Sequence, residues 1–258
     1  MSYPIFSLGG LAICIGYFFA GIVDAISGGG GLITLSTMMA VGFPVRCLVG
    51  TNQMAASFGG ATSTIEFARK GHVDWTAALP AIPTAILGGI LGARLNLLIP
   101  LEYLQIIMVV LIPVIAIIVI FKPEFGGEDH SGELSRRQML LRSLLIGLFF
   151  GVYQGFYGAG SGTFFMLGFV VFTKFDLIRA SGTTKVVVFA SCLSGALTYA
   201  VSGTVYWPMV ICAAGFNILG NYLGSGLAMT KGARLIRPMF LGILALLLVR
   251  LVAGLLQG

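Results

Sequence analysis

Apolar residues run through this chain in long, nearly unbroken blocks separated by short polar breaks. The blocks cover 5–27, 32–41, 47–67, 75–95 and 103–121, and then 139–157, 163–172, 177–201, 206–229 and 236–256. A block of about 20 apolar residues is long enough to cross the roughly 30 Å hydrocarbon core of a bilayer as a helix. The second block of each set holds only about ten residues, roughly 15 Å of helix, and cannot cross. The pattern predicts an all-α polytopic membrane protein. It reads as two sets, each a Gly-broken re-entrant helical hairpin followed by three transmembrane helices. The one long polar stretch, KPEFGGEDHSGELSRR, separates the sets, so the expected organisation is a first transmembrane repeat at 1–121, a linker at 122–137 and a second repeat at 138–258. The opening block is longer than a signal-peptide core and has no basic residue before it, so it is expected to remain part of the fold.

The two sets are copies of each other. GIVDAISGGGGLI at 21–33 returns as GVYQGFYGAGSGT at 151–163, an offset of 130. GTNQ at 50–53 answers GTTK at 182–185, GHVDW at 71–75 answers GTVYW at 203–207, and LGARL at 91–95 answers LGSGL at 223–227, all at an offset of 132. The second copy is therefore expected to carry two extra residues near Lys174 to Arg179. In a hydrophobic chain, an internal repeat with Gly-rich breaks at equivalent places is the pattern of secondary transporters.

Charge adds orientation. The basic residues cluster at Arg69 and Lys70 in the first copy, whereas the equivalent loop at 202–204 is uncharged. The second copy instead carries Lys174, Arg179, Lys231, Arg234 and Arg237 in its flanking loops, where the first has only Arg46 and Arg94. Under the positive-inside rule the copies are inverted repeats of five segments each, with an odd number of crossings per copy, which a returning hairpin plus three spans satisfies, and with both termini outside. Trp75 and Trp207 read as matched interfacial anchors, Glu66 as a partner of Arg69 or Lys70, and Arg94 and Arg250 as snorkelling side chains.

Composition excludes a soluble domain: 57% apolar and 9% charged residues, against about 25% charged in soluble domains. Mean hydropathy is +1.00. The formal charge of +6 sits in loops, so it records topology rather than a nucleic-acid surface. Cys14, Cys47, Cys192 and Cys212 lack metal-ligand spacing and read as packing residues, and His130 lies among solvated carboxylates. No metal or other cofactor is expected. No HExxH, GxSxG or paired His/Asp cluster appears, so an enzyme is the last-ranked reading.

The candidate binding residues fall in two matched groups. Gly28, Gly29, Gly30 and Gly31, and Gly158, Gly160 and Gly162, break each hairpin just before its half-length helix. Such a helix start offers free N–H groups and a positive dipole end to an anion, with Ser27 and Ser161 adding hydroxyls. The alternative is that these glycines only allow close helix packing. The second group is Thr51, Asn52 and Gln53 against Thr183, Thr184 and Lys185. Lys185 precedes 45 uncharged residues, and an ammonium in lipid costs several kcal/mol unless paired or hydrated. It reads as an anion ligand, or as a side chain snorkelling to the nearby loop. Asp24, whose partner in the second copy is the neutral Gln154, reads as a carrier of a coupling proton, as a partner of Lys185, or as an interfacial carboxylate. Tyr153 and Tyr157 read as packing beside the second break.

These motifs, the Gly run after an opening apolar helix, the GTN that follows, and their echoes GAGSG and GTTK, resemble the TauE/SafE family of sulfite exporters over essentially the whole chain. The resemblance implies a multi-pass permease of the bacterial cytoplasmic (inner) membrane that moves a small anion such as sulfite or an organosulfonate. A passive anion channel, a carboxylate carrier of the same fold, and a structural partner of a larger complex are the alternatives. Beyond its anion and the lipid bilayer no partner is implied, and the repeat neither requires nor excludes a homodimer.

Overall fold

A computed structural model describes residue 4, residues 7–98 and 129–232, and positions 234–236, 238, 239, 241 and 242. The blocks expected at 103–121 and at most of 236–256 lie outside the described residues. Within them the chain forms α1 (Leu8–Ser27), α2 (Gly30–Ala40), α3 (Val45–Arg69), α4 (Trp75–Leu98), α5 (Arg136–Phe156), α6 (Ser161–Thr173), α7 (Leu177–Val201) and α8 (Trp207–Lys231). A single 3-10 turn, Ser131–Glu133, precedes α5. No strand occurs among the described residues. Five helices, α1, α4, α5, α7 and α8, are long and apolar enough to cross a membrane. The half-length α2 and α6 have 11 and 13 residues, so they reach only about 17–20 Å.

Local chemistry explains where the helices begin and end. Ser135 and Gln138 form a capping box that starts α5. The Asp176 carboxylate accepts from the Ile178 and Arg179 amides at 2.8 and 2.9 Å and starts α7. Asp74 does the same for α4, accepting from the Ala77 amide at 3.0 Å. Gly28 ends α1 in the left-handed region, φ +80°, with its N–H bonded to the Asp24 carbonyl at 2.8 Å.

The duplication is visible in the backbone. Gly28 and Gly158 share the left-handed conformation at φ +80° and +78°, and Gly71 and Gly203 at +74° and +69°. Gly42, φ +71°, corresponds at the 132 offset to Lys174, φ +61°, the one positive-φ residue other than glycine among those described. That match corrects the expected position of the two extra residues. The offset has already risen from 130 to 132 by Lys174, so the insertion lies in the second break and in α6, not after Lys174.

Each half-length helix folds back along its predecessor. A Cβ on Gly16 would sit 3.0 Å from Thr37 Oγ1, and the Phe150 and Phe165 rings pack 5.6 Å apart, so α1–α2 and α5–α6 are hairpins. Across the halves, α1 packs on α8 just as α5 packs on α4, and α3 packs on both α7 and α8. Glycine permits the closest of these approaches: a Cβ on Gly155 would lie 2.0 Å from the Gly89 carbonyl oxygen. The equivalent helices α3 and α7 run antiparallel. Thr51, near the start of α3, accepts from the Tyr206 amide beyond the end of α7 at 2.9 Å. Its counterpart Thr183, near the start of α7, accepts from the Asp74 amide beyond the end of α3 at 3.0 Å.

The packing is that of a protein dissolved in lipid. Leu8, Leu11, Ile15 and Phe19 form an exposed stripe along α1, and Ile211 and Leu219 are exposed on α8, while Thr51, Asn52, Gln53, Asn217 and Asn221 are buried. Trp75 and Trp207, the first residues of α4 and α8, are each half exposed.

Candidate functional site

The tips of the two hairpins meet, buried, in the interior of the described structure. A Cβ on Gly28 would fall 2.3 Å from the Gly162 carbonyl carbon, so only glycine fits where the tips cross. Thr163 donates to the Ser27 carbonyl at 2.8 Å and ties one tip to the other. Beside this crossing lies a cavity of about 50 Å³ lined by Asp24, Gly30, Gly31, Gln154, Gly158, Ser161, Gly162, Thr184, Lys185, Cys192 and Asn217, with Ala20, Thr34, Ser57 and Phe189 at its margins. The first turns of α2 and α6 both border it. The Leu32, Ser161 and Thr163 amides are taken by the carbonyls of Gly29, Gly158 and Gly160, which leaves the amides of Gly30, Gly31 and Gly162 at two helix N-termini beside one cavity.

Lys185 is buried, and its ammonium donates to the Asp24 main-chain carbonyl in the last turn of α1. This places it inside the molecule, against α1, rather than extended toward the loop at Asp176. The Asp24 carboxylate borders the same cavity and is only partly buried. The Thr184 hydroxyl is buried with no hydrogen-bond partner, and an unpaired buried hydroxyl costs about 1–3 kcal/mol unless a ligand or water satisfies it. The single Ser161 hydroxyl proton lies between two acceptors, the Gln154 side-chain oxygen and the Gly158 carbonyl.

The sequence candidates thus divide. Asp24, Gly30, Gly31, Gly158, Ser161, Gly162, Thr184 and Lys185 are gathered round the cavity. Gly29 and Gly160 cap α2 and α6 beside it, and Gly28 and Ser27 form the tip. Thr51 and Thr183 bind loop amides of the opposite half, and Asn52 accepts from the Tyr17 hydroxyl at 3.0 Å. Gln53 donates to the carbonyls of Gln154 and Gly155 at 2.8 and 2.9 Å. Sequence reasoning left Gln154, Cys192 and Asn217 out of the site. Gln154 was visible as the repeat partner of Asp24; Cys192 and Asn217 carried no signal beyond being polar or small in a spanning helix.

A second, open cavity of about 740 Å³ lies at one end, between the α3–α4 turn, the start of α7 and the linker. Its Asp176 carboxylate is spent on capping α7, and the other charges in and beside it are paired. Arg179 bridges Asp74 and Asp129, and Lys174 pairs with Glu133. Burial pushes the Asp129 carboxyl up, but the hydroxyl and amide of Ser131 and the Arg179 guanidinium outweigh it and hold the group below the usual range. A hydrogen bond from Lys174 and its charge do the same for Glu133. Among the described residues no group of His, Cys, Asp and Glu could hold a metal ion.

An interior ammonium, a free hydroxyl and two helix N-termini round a small space can bind an anion; they form no nucleophile–base pair. Comparison with known proteins agrees with a transport role. Residues 13–251 match the family described as sulfite exporter TauE/SafE. The chain is 35% identical over 236 residues to the probable membrane transporter protein ORF9 of a Sinorhizobium species, covering 92% of this chain and 89% of that one. It is 34% identical to a probable membrane transporter protein of Haemophilus influenzae, over 89% of this chain and 88% of that one. It is 32% identical to the probable membrane transporter protein YfcA of Escherichia coli K12, over 90% of this chain and 85% of that one. No solved structure matches the chain. The protein is a multi-pass membrane transporter and belongs to the TauE/SafE sulfite exporter family.

Proposed function

We propose that the chain is an alternating-access carrier that moves sulfite or a small organosulfonate across the bacterial cytoplasmic membrane. The observation that carries this reading is the Lys185 ammonium and the unpartnered Thr184 hydroxyl beside two helix N-termini in one cavity. A space of about 50 Å³ holds roughly three to five water-sized groups, which suits the four heavy atoms of sulfite better than a long organic anion. Gly30, Gly31 and Gly162 would supply N–H donors, Thr184 a hydroxyl and Lys185 the charge. Asp24 borders the same space, so an anion beside it is favoured when the carboxyl is protonated, which couples anion and proton. Two inverted repeats that meet at such a site would rock about it to expose it to either side. The end bearing Arg69, Lys70, Lys174 and Lys231 would face the cytoplasm.

The test is uptake of labelled sulfite, methanesulfonate and acetate by liposomes holding the purified chain. Saturable sulfite uptake, accelerated by unlabelled sulfite on the far side, is the expected result. Uptake without such counterflow would mean a channel, and uptake of acetate alone would move the substrate class to carboxylates.

A further inference from the structure

The last turns of α1 and α5 are equivalent parts of the two hairpins, yet they are held differently. At the end of α5, Gln53 of α3 donates to the carbonyls of Gln154 and Gly155 at 2.8 and 2.9 Å, and the Tyr199 hydroxyl of α7 donates to the Gly155 carbonyl at 2.9 Å. At the end of α1 the counterpart of Gln53 is Lys185, which donates to the Asp24 carbonyl. The counterpart of Tyr199 is Phe67, fully buried and without a hydroxyl. Thr163 also reaches α1, at the Ser27 carbonyl, but it belongs to the α6 tip and not to a long helix. At these last turns the long helices therefore grip α5 with three neutral hydrogen bonds and α1 with a single ammonium; farther back, Tyr17 of α1 donates to Asn52 and accepts from Asn217, and Gly151 of α5 accepts from Ser191.

The two grips respond differently to an anion. An anion in the cavity offers Lys185 a full negative charge in place of a carbonyl dipole, and charge-assisted bonds are about twice as strong as neutral ones. It offers an amide and a phenol much less. We propose that anion binding releases the α1–α2 hairpin from α7 while Gln53 and Tyr199 keep the α5–α6 hairpin fixed. Tyr199 is then a positioning residue, and the asymmetry between Phe67 and Tyr199 decides which half moves. The proposal rests on the carrier reading of the same cavity.

The experiment places spin labels at Met39 and Val201 in one variant and at the corresponding helix ends, Phe172 and Arg69, in another. The half-buried Cys47 and Cys212 are changed to Ala, and distances are measured with and without sulfite. Sulfite is expected to shift the Met39–Val201 distance and leave Phe172–Arg69 in place. In parallel, Phe67→Tyr adds by equivalence the missing hydroxyl to the grip on α1. It should lower the maximal sulfite flux roughly three- to tenfold, the worth of one hydrogen bond, without raising the half-saturating concentration. A structural defect alone would not separate those two constants, and the distance measurement stands even if that variant fails to fold. Sulfite transport with Phe172–Arg69 moving equally, or moving alone, would overturn the inference and leave the carrier intact. Neither transport nor a distance change with sulfite, methanesulfonate or acetate would overturn both.

Discussion

Replacing Lys185 with Met removes the charge while keeping an unbranched side chain of similar length. In the structure the ammonium is buried on the cavity wall and spends its one recorded hydrogen bond on the Asp24 carbonyl, which also accepts from the Gly28 amide. Losing it therefore leaves no carbonyl without a partner at that point. The loss in binding follows from the charge-assisted contact to the anion, about 1.5–3 kcal/mol. That corresponds to a rise of roughly 10- to 150-fold in the half-saturating concentration. Stability should not fall in parallel, because an ammonium in the membrane interior is costly and a thioether is not. The assay is labelled sulfite uptake over a wide concentration range, with thermal stability in detergent measured on the same preparation. A Lys185→Met chain with half-saturation within threefold of the parent would refute the reasoning, since a snorkelling lysine is the one that could be lost without effect.

Asp24→Asn should retain sulfite counterflow yet lose dependence of net uptake on a proton gradient; persistent gradient dependence would remove Asp24 from coupling. Gly28→Ala should fail to assemble, because φ +80° costs an L residue about 1–2 kcal/mol and its Cβ would meet Gly162 at 2.3 Å. Gly203→Ala, at φ +69° but with nothing within 4 Å, should cost the strain alone, and equal thermal stability losses for the two would sink the argument about the tips. The described part of the linker should stay pinned from pH 8 to pH 5 and loosen only in strong acid. The folded pKa values of Asp129 and Glu133 are lowered, so their contribution is complete above the ordinary carboxylate values of 3.8 and 4.5 and is lost as pH falls below them. Hydrogen exchange at 129–135 reads this directly, and release near pH 6 would contradict it.

Much of the fold could be read from the chain because lipid makes hydrophobic length decisive. Every described block of about 20 apolar residues is a long helix, and the two short blocks are the half-length α2 and α6. The Gly breaks were legible because a positive φ leaves its mark in residue identity, at Gly28, Gly158, Gly71 and Gly203. Lys174 was not, because a lysine in the left-handed region looks like any loop lysine, and the insertion was misplaced for that reason. The fate of the two GT motifs was also hidden. Sequence shows that Thr51 and Thr183 are polar residues in spanning helices. It does not show that each satisfies the last loop amide of the opposite half, just before α8 and α4, while the Thr184 hydroxyl, one residue beyond Thr183, is left free. Helix phase separates those neighbours by about 100°, and which face meets the cavity is decided by partners far away in sequence.

Charge placement joins the two kinds of evidence. Arg69 and Lys70 lie at the end of a long helix in the first copy, whereas Lys174 and Arg179 lie at the start of the equivalent helix in the second. Parallel copies would put these groups at opposite ends. Here Arg179 bonds to Asp74 beside the α3–α4 turn and to Asp129 of the linker, and a Cβ on Gly232, after α8, would touch Ile178 at 3.1 Å. The basic residues of both copies therefore collect at one end, and Arg46 and Arg94 lie toward the other. That arrangement demands antiparallel counterparts, which the Thr51 and Thr183 contacts supply independently. Antiparallel counterparts also bring two helix N-termini to one cavity from opposite directions. Parallel copies would point both the same way and leave a single dipole end at the site. The same antiparallel relation thus underlies both the one-sided charge and the meeting of two helix N-termini at one cavity. A sequence change that inverted one would be expected to dismantle the other.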